Sequence, residues 1–401
     1  MESTRAGYGS KQSAEAAHFS YFIAAAPEPE QVITWLERME RIRTIRRDKQ
    51  RTCTPSKMIS AIPCSLTFLA AASSLLLLLP TLVTFSDALS QSLPPPERLR
   101  RLLNAELDGT SQTDHPILLP CCYDGLTARL IARAGFEATF MTGFGVSAAR
   151  GYPDTQLVSY REMLDSCSMV SEALAGAALE LGTDPLPCIA DGDTGYGNAM
   201  NCKRTVHGYG RAGMGGIMIE DQVSPKRCGH VGGKSVISFE EAVMRVKAAC
   251  DARDEYESLN GKGTGPLILA RTDSLVTDGF EDAIQRCLAF RDAGCDMTFL
   301  EAPQTVEQMK EYCDRVSGPK LANMLEYGST PVLPPRELKA IGYTMAAYPL
   351  TLLSASIRAM NESLELIKNG KPTDDMILSF GETKDAVGFT RYSEQEDKYK
   401  A

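Results

Sequence analysis

Cys228 stands between Arg227 and the pair Gly229-His230, in a short polar stretch that follows an apolar run ending at Glu220 and Asp221. Cationic neighbours stabilise a thiolate, so such a cysteine is expected to serve as proton donor or nucleophile near neutral pH. Taken alone, a cysteine beside a turn glycine is more often structural; the acidic motifs around it shift that balance. Asp191-Gly-Asp193-Thr-Gly-Tyr-Gly197 places two carboxylates two residues apart before a glycine-rich turn. A hard divalent cation such as Mg2+ takes oxygen ligands and keeps part of its water, which makes Asp191, Asp193 and Glu220 a candidate metal set. Arg271 ends another apolar run and is costly to bury without an anion; a substrate carboxylate or Glu220 could supply one.

Other features are set aside. Gly208-Tyr-Gly210-Arg-Ala-Gly213 has dinucleotide-fingerprint spacing, but it follows a helical stretch and precedes a strand, and phosphate binding needs strand, turn, helix. His115 and His207 have no ligand-spaced partner and read as structural. The net charge of -9 argues against nucleic acid as a partner. The 12 cysteines show no paired spacing, so they read as mostly buried thiols and not as a disulfide framework.

The elements that must position these residues alternate regularly. Short apolar runs occur at 117–122, 138–143, 187–191, 216–221, 267–273, 297–302, 320–326 and 344–349, with helical spacing between them and a last helix at 351–368 followed by a polar tail. Eight strand-and-helix units in about 250 residues predict a (β/α)8 barrel of the TIM type, with a doubly wound open sheet as the alternative. Carboxylates and one arginine cluster at the carboxyl ends of the runs, the active-site face of a parallel barrel.

The barrel is expected to occupy residues 91–401. Residues 1–57 read as a basic extension without a core. Residues 58–86 carry no charge and include five consecutive leucines at 75–79, apolar enough to span a bilayer, although Pro63 and Pro80 interrupt the helix. The segment 58–90 fits a cleavable signal with an exit near Ala88 or Ser90, a signal anchor, or a buried core helix; a targeting or anchoring segment is the expectation. That implies an organelle or the secretory route, with membrane contact only through 58–86, and otherwise a cytoplasmic domain. Translation from Met58 would give a signal of ordinary shape.

Five motifs in order, Asp-Gly-Asp-Thr-Gly-Tyr-Gly at 191–197, Glu-Asp-Gln at 220–222, Lys-Arg-Cys-Gly-His at 226–230, Ala-Arg-Thr-Asp at 270–273 and Asn-Met-Leu-Glu at 323–326, resemble the isocitrate lyase and phosphoenolpyruvate mutase superfamily. The resemblance runs from about Arg98 to Tyr399 and is nearest to the groups of 2-methylisocitrate lyase, 2,3-dimethylmalate lyase, petal death protein and carboxyphosphonoenolpyruvate phosphonomutase. It implies a barrel whose last helix is exchanged between subunits of a homotetramer, and Mg2+ at the mouth, with Mn2+ as substitute. Asp191 would bind the metal directly, with Asp193 and Glu220 acting through water. Thr142, Gly143 and Phe144 would cradle the carboxylate of an α-oxo acid, with Asp154 behind them and Arg271, Asn323 and Glu326 on the substrate. Lys226 to His230 would form a mobile gate bearing Cys228, and Lys226 and His230 join Cys228 and Arg271 as catalytic candidates.

The implied activity is cleavage of a small 2-hydroxy di- or tricarboxylate. Oxaloacetate hydrolysis and phosphonomutase chemistry are the enzymatic alternatives, and Pro349 resembles the lyases more than the hydrolases. Phe140 replaces a tyrosine of the methylisocitrate lyases; Tyr123 or a metal-bound water are the candidate stand-ins for its hydroxyl. An inactive membrane-tethered binding protein is the non-enzymatic alternative, and the intact carboxylate set and Cys228 argue against it.

Overall fold

Eight parallel strands alternate with helices in the computed structural model, which describes residues 93–229 and 232–400. The expectations for the basic extension, for the hydrophobic segment and for His230 lie outside the described residues. The strands are β1 (Ile117–Cys122), β2 (Thr139–Met141), β3 (Cys188–Asp191), β4 (Gly216–Glu220), β5 (Leu267–Thr272), β6 (Met297–Leu300), β7 (Leu321–Asn323) and β8 (Met345–Tyr348). From β1 to β6 each strand pairs with the next, β1 pairs in turn with β8, and β8 with β7. The β6 to β7 seam meets in a single parallel bridge, Thr298 to Lys320, where Thr298 N–H donates to Pro319 O at 3.0 Å. This is a nearly closed (β/α)8 barrel. The pairing of β1 with β8 excludes the open sheet.

The helices are α1 (Pro95–Leu107), α2 (Gly125–Arg133), α3 (Gly143–Ala149), α4 (Tyr160–Leu181), α5 (Ala199–Arg211), α6 (Phe239–Asn260), α7 (Ser274–Thr277), α8 (Phe280–Asp292), α9 (Val306–Arg315), α10 (Pro335–Ala340), α11 (Thr351–Lys368), α12 (Phe380–Ala386) and α13 (Phe389–Asp397). Local chemistry sets their ends. At α4, Ser159 and Glu162 form a reciprocal capping box, and Gly182, at φ 67°, closes the helix in the left-handed region. Among the described residues no helix is long and apolar enough to cross a membrane.

Apolar residues fill two layers. Inside the barrel, Leu119, Ile189, Met218, Leu269, Phe299 and Met345 pack together, and Leu99 and Leu103 of α1 join them. Leu99 reaches Gly216, the first residue of β4, so α1 plugs the amino-terminal end of the barrel. Outside, Val206, Tyr209, Ile217, Val246 and Phe290 pack helices onto strands. Gly208 and Gly210 serve this layer: a side chain at Gly208 would collide with the Tyr160 hydroxyl, and one at Gly210 would lie 2.9 Å from the Tyr256 ring. Helix packing explains the glycine pattern that nucleotide binding did not. Eight of the ten described cysteines are buried, and no disulfide joins any of the ten.

Two expectations are corrected. β2 and β7 end at Met141 and Asn323, short of the apolar runs that foretold them, because the chain turns into α3 and into a loop there. The polar tail contains α12 and α13; Arg129 Nε donates to Ala386 O at 2.9 Å and Arg133 Nη1 to Asp385 O at 2.8 Å, which fasten α12 to α2. Alternating charge without an apolar stripe hid those short helices.

Candidate active site

Parallel pairing brings the polar strand ends to one mouth. Glu220, last in β4, lies in register with Arg271 of β5. The Arg271 guanidinium grips Asp273 through Nε at 2.8 Å and Nη2 at 3.1 Å, with Glu220 Oε2 at 3.5 Å and Glu301 Oε2 at 3.7 Å. Burial works against its charge, but Asp273, Glu301 and Glu220 outweigh burial and hold the guanidinium well above its ordinary pKa. The anionic partner expected from sequence is therefore chiefly Asp273, two residues along the same chain.

Asp191, last in β3, accepts from Gly143 N at 3.2 Å and Asp193 N at 2.9 Å. A side chain at Gly143 would lie 2.6 Å from Asp191 Oδ2, so only glycine lets α3 start this close to the carboxylate. Lys226 Nζ lies 2.6 Å from Asp154 Oδ1 and 3.1 Å from Asp193 Oδ1. Burial pushes Asp191 above the ordinary carboxylate range, and Lys226 only partly restrains it. Burial raises Glu220 further, with Arg271 and Lys226 again offsetting only in part.

The residues present fit a divalent cation that keeps much of its own water. Neither oxygen of buried Glu220 makes a hydrogen bond. Arg271 Nε, 3.5 Å from Oε2, is an ionic neighbour but no hydrogen-bond donor to it, and such an acceptor pair is costly unless a bound cation or water engages it. Among the described residues no three Asp, Glu, His or Cys side chains converge closely enough to ligate one ion together.

Cys228 arrives on the 226–229 loop. Gln222 braces that loop, accepting from Arg227 N at 3.0 Å and donating to Arg227 O at 2.9 Å. Gln156 accepts from Lys226 N at 3.0 Å and donates to Thr194 Oγ1 at 2.9 Å, tying the loop to the 191–197 turn. Gly229 lies over the mouth, where an added Cβ would meet the Arg271 guanidinium and come within 2.9 Å of the Glu301 carboxyl carbon. Under this loop is a cavity of about 60 Å3, and outside it an open pocket of about 700 Å3; Cys228, half-buried, lines both. Arg227 turns away, Nη1 donating to Gly232 O at 3.3 Å, and Lys226 serves the carboxylates.

Thr142, Phe144, Asp154, Asp191, Lys226 and Arg271 share the inner cavity with Cys228 and Asn323. Asp193 and Glu220 are buried beside Lys226 and Arg271. Glu326 is not in that wall; it accepts from Thr351 Oγ1 at 2.6 Å at the start of α11. Phe140 is buried in the barrel interior, and the Tyr123 hydroxyl donates to Ser356 Oγ at 3.4 Å. Glu301 had a signal in its strand-end position. Gln156 and Lys234 act through partners distant in the chain that spacing does not reveal, and Asp273 acts on Arg271, its near neighbour, through a turn that spacing does not show.

Buried carboxylates, an arginine and a thiol at the carboxyl end of a parallel barrel define a barrel enzyme for small anionic substrates. The family model for phosphoenolpyruvate phosphomutase matches residues 108–368. The chain is 39% identical over 291 residues to a 2,3-dimethylmalate lyase of Eubacterium barkeri, covering 72% of this chain and 94% of that one. It is 34% identical over 283 residues to a 2-methylisocitrate lyase of Aeropyrum pernix, covering 70% and 85%. A solved structure of oxaloacetate acetylhydrolase with the inhibitor 3,3-difluorooxalacetate matches at TM-score 0.67 and 31% identity, covering 76% of this chain and 97% of that one. The chain belongs to the phosphoenolpyruvate phosphomutase family, within the phosphoenolpyruvate mutase and isocitrate lyase superfamily.

Proposed function

We propose that this carbon–carbon lyase of the superfamily is Mg2+-dependent and cleaves a small 2-hydroxy di- or tricarboxylate of the 2-methylisocitrate or 2,3-dimethylmalate type. The observation that carries the reading is the meeting of Cys228 with Arg271 and Asp191 around one small cavity. Arg271, already charged and oriented by Asp273, holds the negative charge of a substrate carboxylate. Thr142 and Phe144 bound the α-oxo acid half, and Gly229, seated over Arg271 and Glu301, limits the access of water to the carbanion. A base takes the hydroxyl proton as scission of the carbon–carbon bond turns the hydroxyl carbon into a carbonyl, and the bond's electron pair remains beside the second carboxylate. Cys228 Sγ gives its proton to that carbon. Asp191, Asp193 and Glu220 would hold Mg2+, which when bound supplies Lewis-acid stabilisation of the 2-hydroxyl and its carboxylate.

Oxaloacetate hydrolysis is the second reading, supported by the likeness to oxaloacetate acetylhydrolase. Pro349, the residue resembling the lyases, lines the inner cavity and weighs toward cleavage of a branched substrate. Residues 91–401, purified and supplied with Mg2+, are expected to be soluble and to turn over methylisocitrate or dimethylmalate faster than oxaloacetate, isocitrate or carboxyphosphonoenolpyruvate. Preference for oxaloacetate would replace the lyase reading. An inactive fragment beside an active full chain would move the domain boundary and end the assignment of 58–90 to targeting.

Among the described residues one face of α11 is left uncovered. Ile357, Met360, Leu364 and Ile367 share one face of α11 and are 45%, 55%, 62% and 64% exposed. Leu118 and Tyr348, on β1 and β8, are only half-covered. A helix exchanged between subunits of a homotetramer accounts for both surfaces. Light scattering is expected to show a tetramer, and Met360→Asp with Leu364→Asp smaller species. A monomeric wild-type chain rules the exchange out.

A further inference from the structure

We propose that Lys234 is a positioning residue that latches the 226–229 loop to the carboxylate orienting Arg271, so that closure and readiness of the arginine are one event. This rests on the lyase reading only for what the closed site does. The Lys234 ammonium is buried, and its Nζ donates to Gly229 O at 2.6 Å and to Asp273 Oδ1 at 2.7 Å. The same Asp273 oxygen accepts from Arg271 Nη2 at 3.1 Å. One ammonium therefore joins the loop's backbone to the arginine's clamp.

Both posts of the latch are fixed independently of the loop. Lys234 sits on a return segment held antiparallel to the end of β4: Val223 N donates to Ser235 O at 2.9 Å, Gln222 bridges Val236, and Ile237 N donates to Asp221 O at 2.9 Å. Asp273 is held by its own N–H, which donates to Asp221 Oδ1 at 2.9 Å. Asp221 is itself gripped by Arg286 Nη1 at 3.2 Å and by Thr272 Oγ1 at 2.6 Å. Of the two oxygens that meet at Nζ, the Gly229 carbonyl is the one that belongs to the 226–229 loop. Lifting the loop strips a charge-assisted hydrogen bond from a buried ammonium, and the closed state gains by that difference.

The test measures Cys228, which lines both the inner and the outer cavity and so reports the loop. The full chain is treated with iodoacetamide, and the Cys228 peptide is quantified by mass. Lys234→Met, which keeps the aliphatic stem, is expected to label Cys228 about tenfold faster and to raise KM for the best substrate, and Lys234→Arg to return most of both. Oxalate is expected to shield Cys228 in the wild type and to shield it poorly in Lys234→Met. Should the Met variant fail to fold, Lys234→Gln carries the same measurements. Equal labelling rates in wild type and the uncharged variant overturn the latch. Labelling needs no turnover, so failure of the lyase reading would show in the substrate screen alone, and failure of the latch in the labelling alone.

Discussion

Excess chelator stops turnover, and Mg2+ or Mn2+ restores it; this is the expected result with the widest consequence. Burial pushes the Asp191 and Glu220 carboxyls above their ordinary pKa values, and both Glu220 oxygens lack hydrogen bonds. A folded chain that keeps acceptors in this condition sacrifices stability at the site, since each unsatisfied buried group costs about 1–3 kcal/mol and charged ones more. Oxygen ligands alone select a hard cation. In the wild type, Mg2+ at a hundredfold excess over Kd is expected to add about 2.7 kcal/mol of stability. Glu220→Gln separates function from stability: an amide is cheaper to bury than a carboxylate, so the metal-free variant melts higher than metal-free wild type. The same variant loses the Mg2+-induced shift, and its kcat falls roughly a thousandfold, the rate equivalent of about 4 kcal/mol. Full turnover in excess chelator, or melting indifferent to Mg2+, ends the metal reading.

The barrel was legible because its strands are buried on both faces. β1, β4 and β5 begin at the residues where their apolar runs begin, and Asp191, Glu220 and Arg271 stand at strand ends where a parallel barrel gathers polar groups. Local pattern suffices for such elements. It fails where partners are remote in sequence. Lys234 reads as an ordinary loop lysine until the fold brings Asp273, 39 residues on, to its ammonium; Asp273 is near Arg271 in sequence, but only the turn after β5 folds its carboxylate back onto the guanidinium. The cationic flank expected around Cys228 illustrates the same limit. Adjacent residues in a loop point apart, so Lys226 enters the carboxylate cluster and Arg227 turns out to Gly232. The α11 stripe was readable as helical spacing, but no local feature says that the chain's own barrel leaves it uncovered.

Cys228→Ser is expected to lower kcat on the best substrate by about 10^2–10^4-fold, the usual range for loss of a positioned general acid. Serine is nearly isosteric and tolerated in turns, so a cysteine that merely shaped the loop would be replaced at little cost. A hydroxyl is a far weaker acid than a thiol, however, and the carbanion would wait for a proton. The defect should therefore be confined to the step after bond cleavage. Arg271 remains clamped by Asp273, and Thr142 and Phe144 still line the cavity, so oxalate, which mimics the α-oxo acid half, is expected to inhibit both proteins with similar affinity. The decisive pair of measurements is kcat and the oxalate inhibition constant for each protein, taken at saturating Mg2+. A large fall in kcat with unchanged oxalate affinity places Cys228 at the proton transfer. Weakened oxalate binding with a matching loss of activity would assign it to loop closure instead. A variant that turns over near the wild-type rate removes the thiol from the chemistry, and phosphonomutase activity, which needs no such donor, becomes the reading to test next.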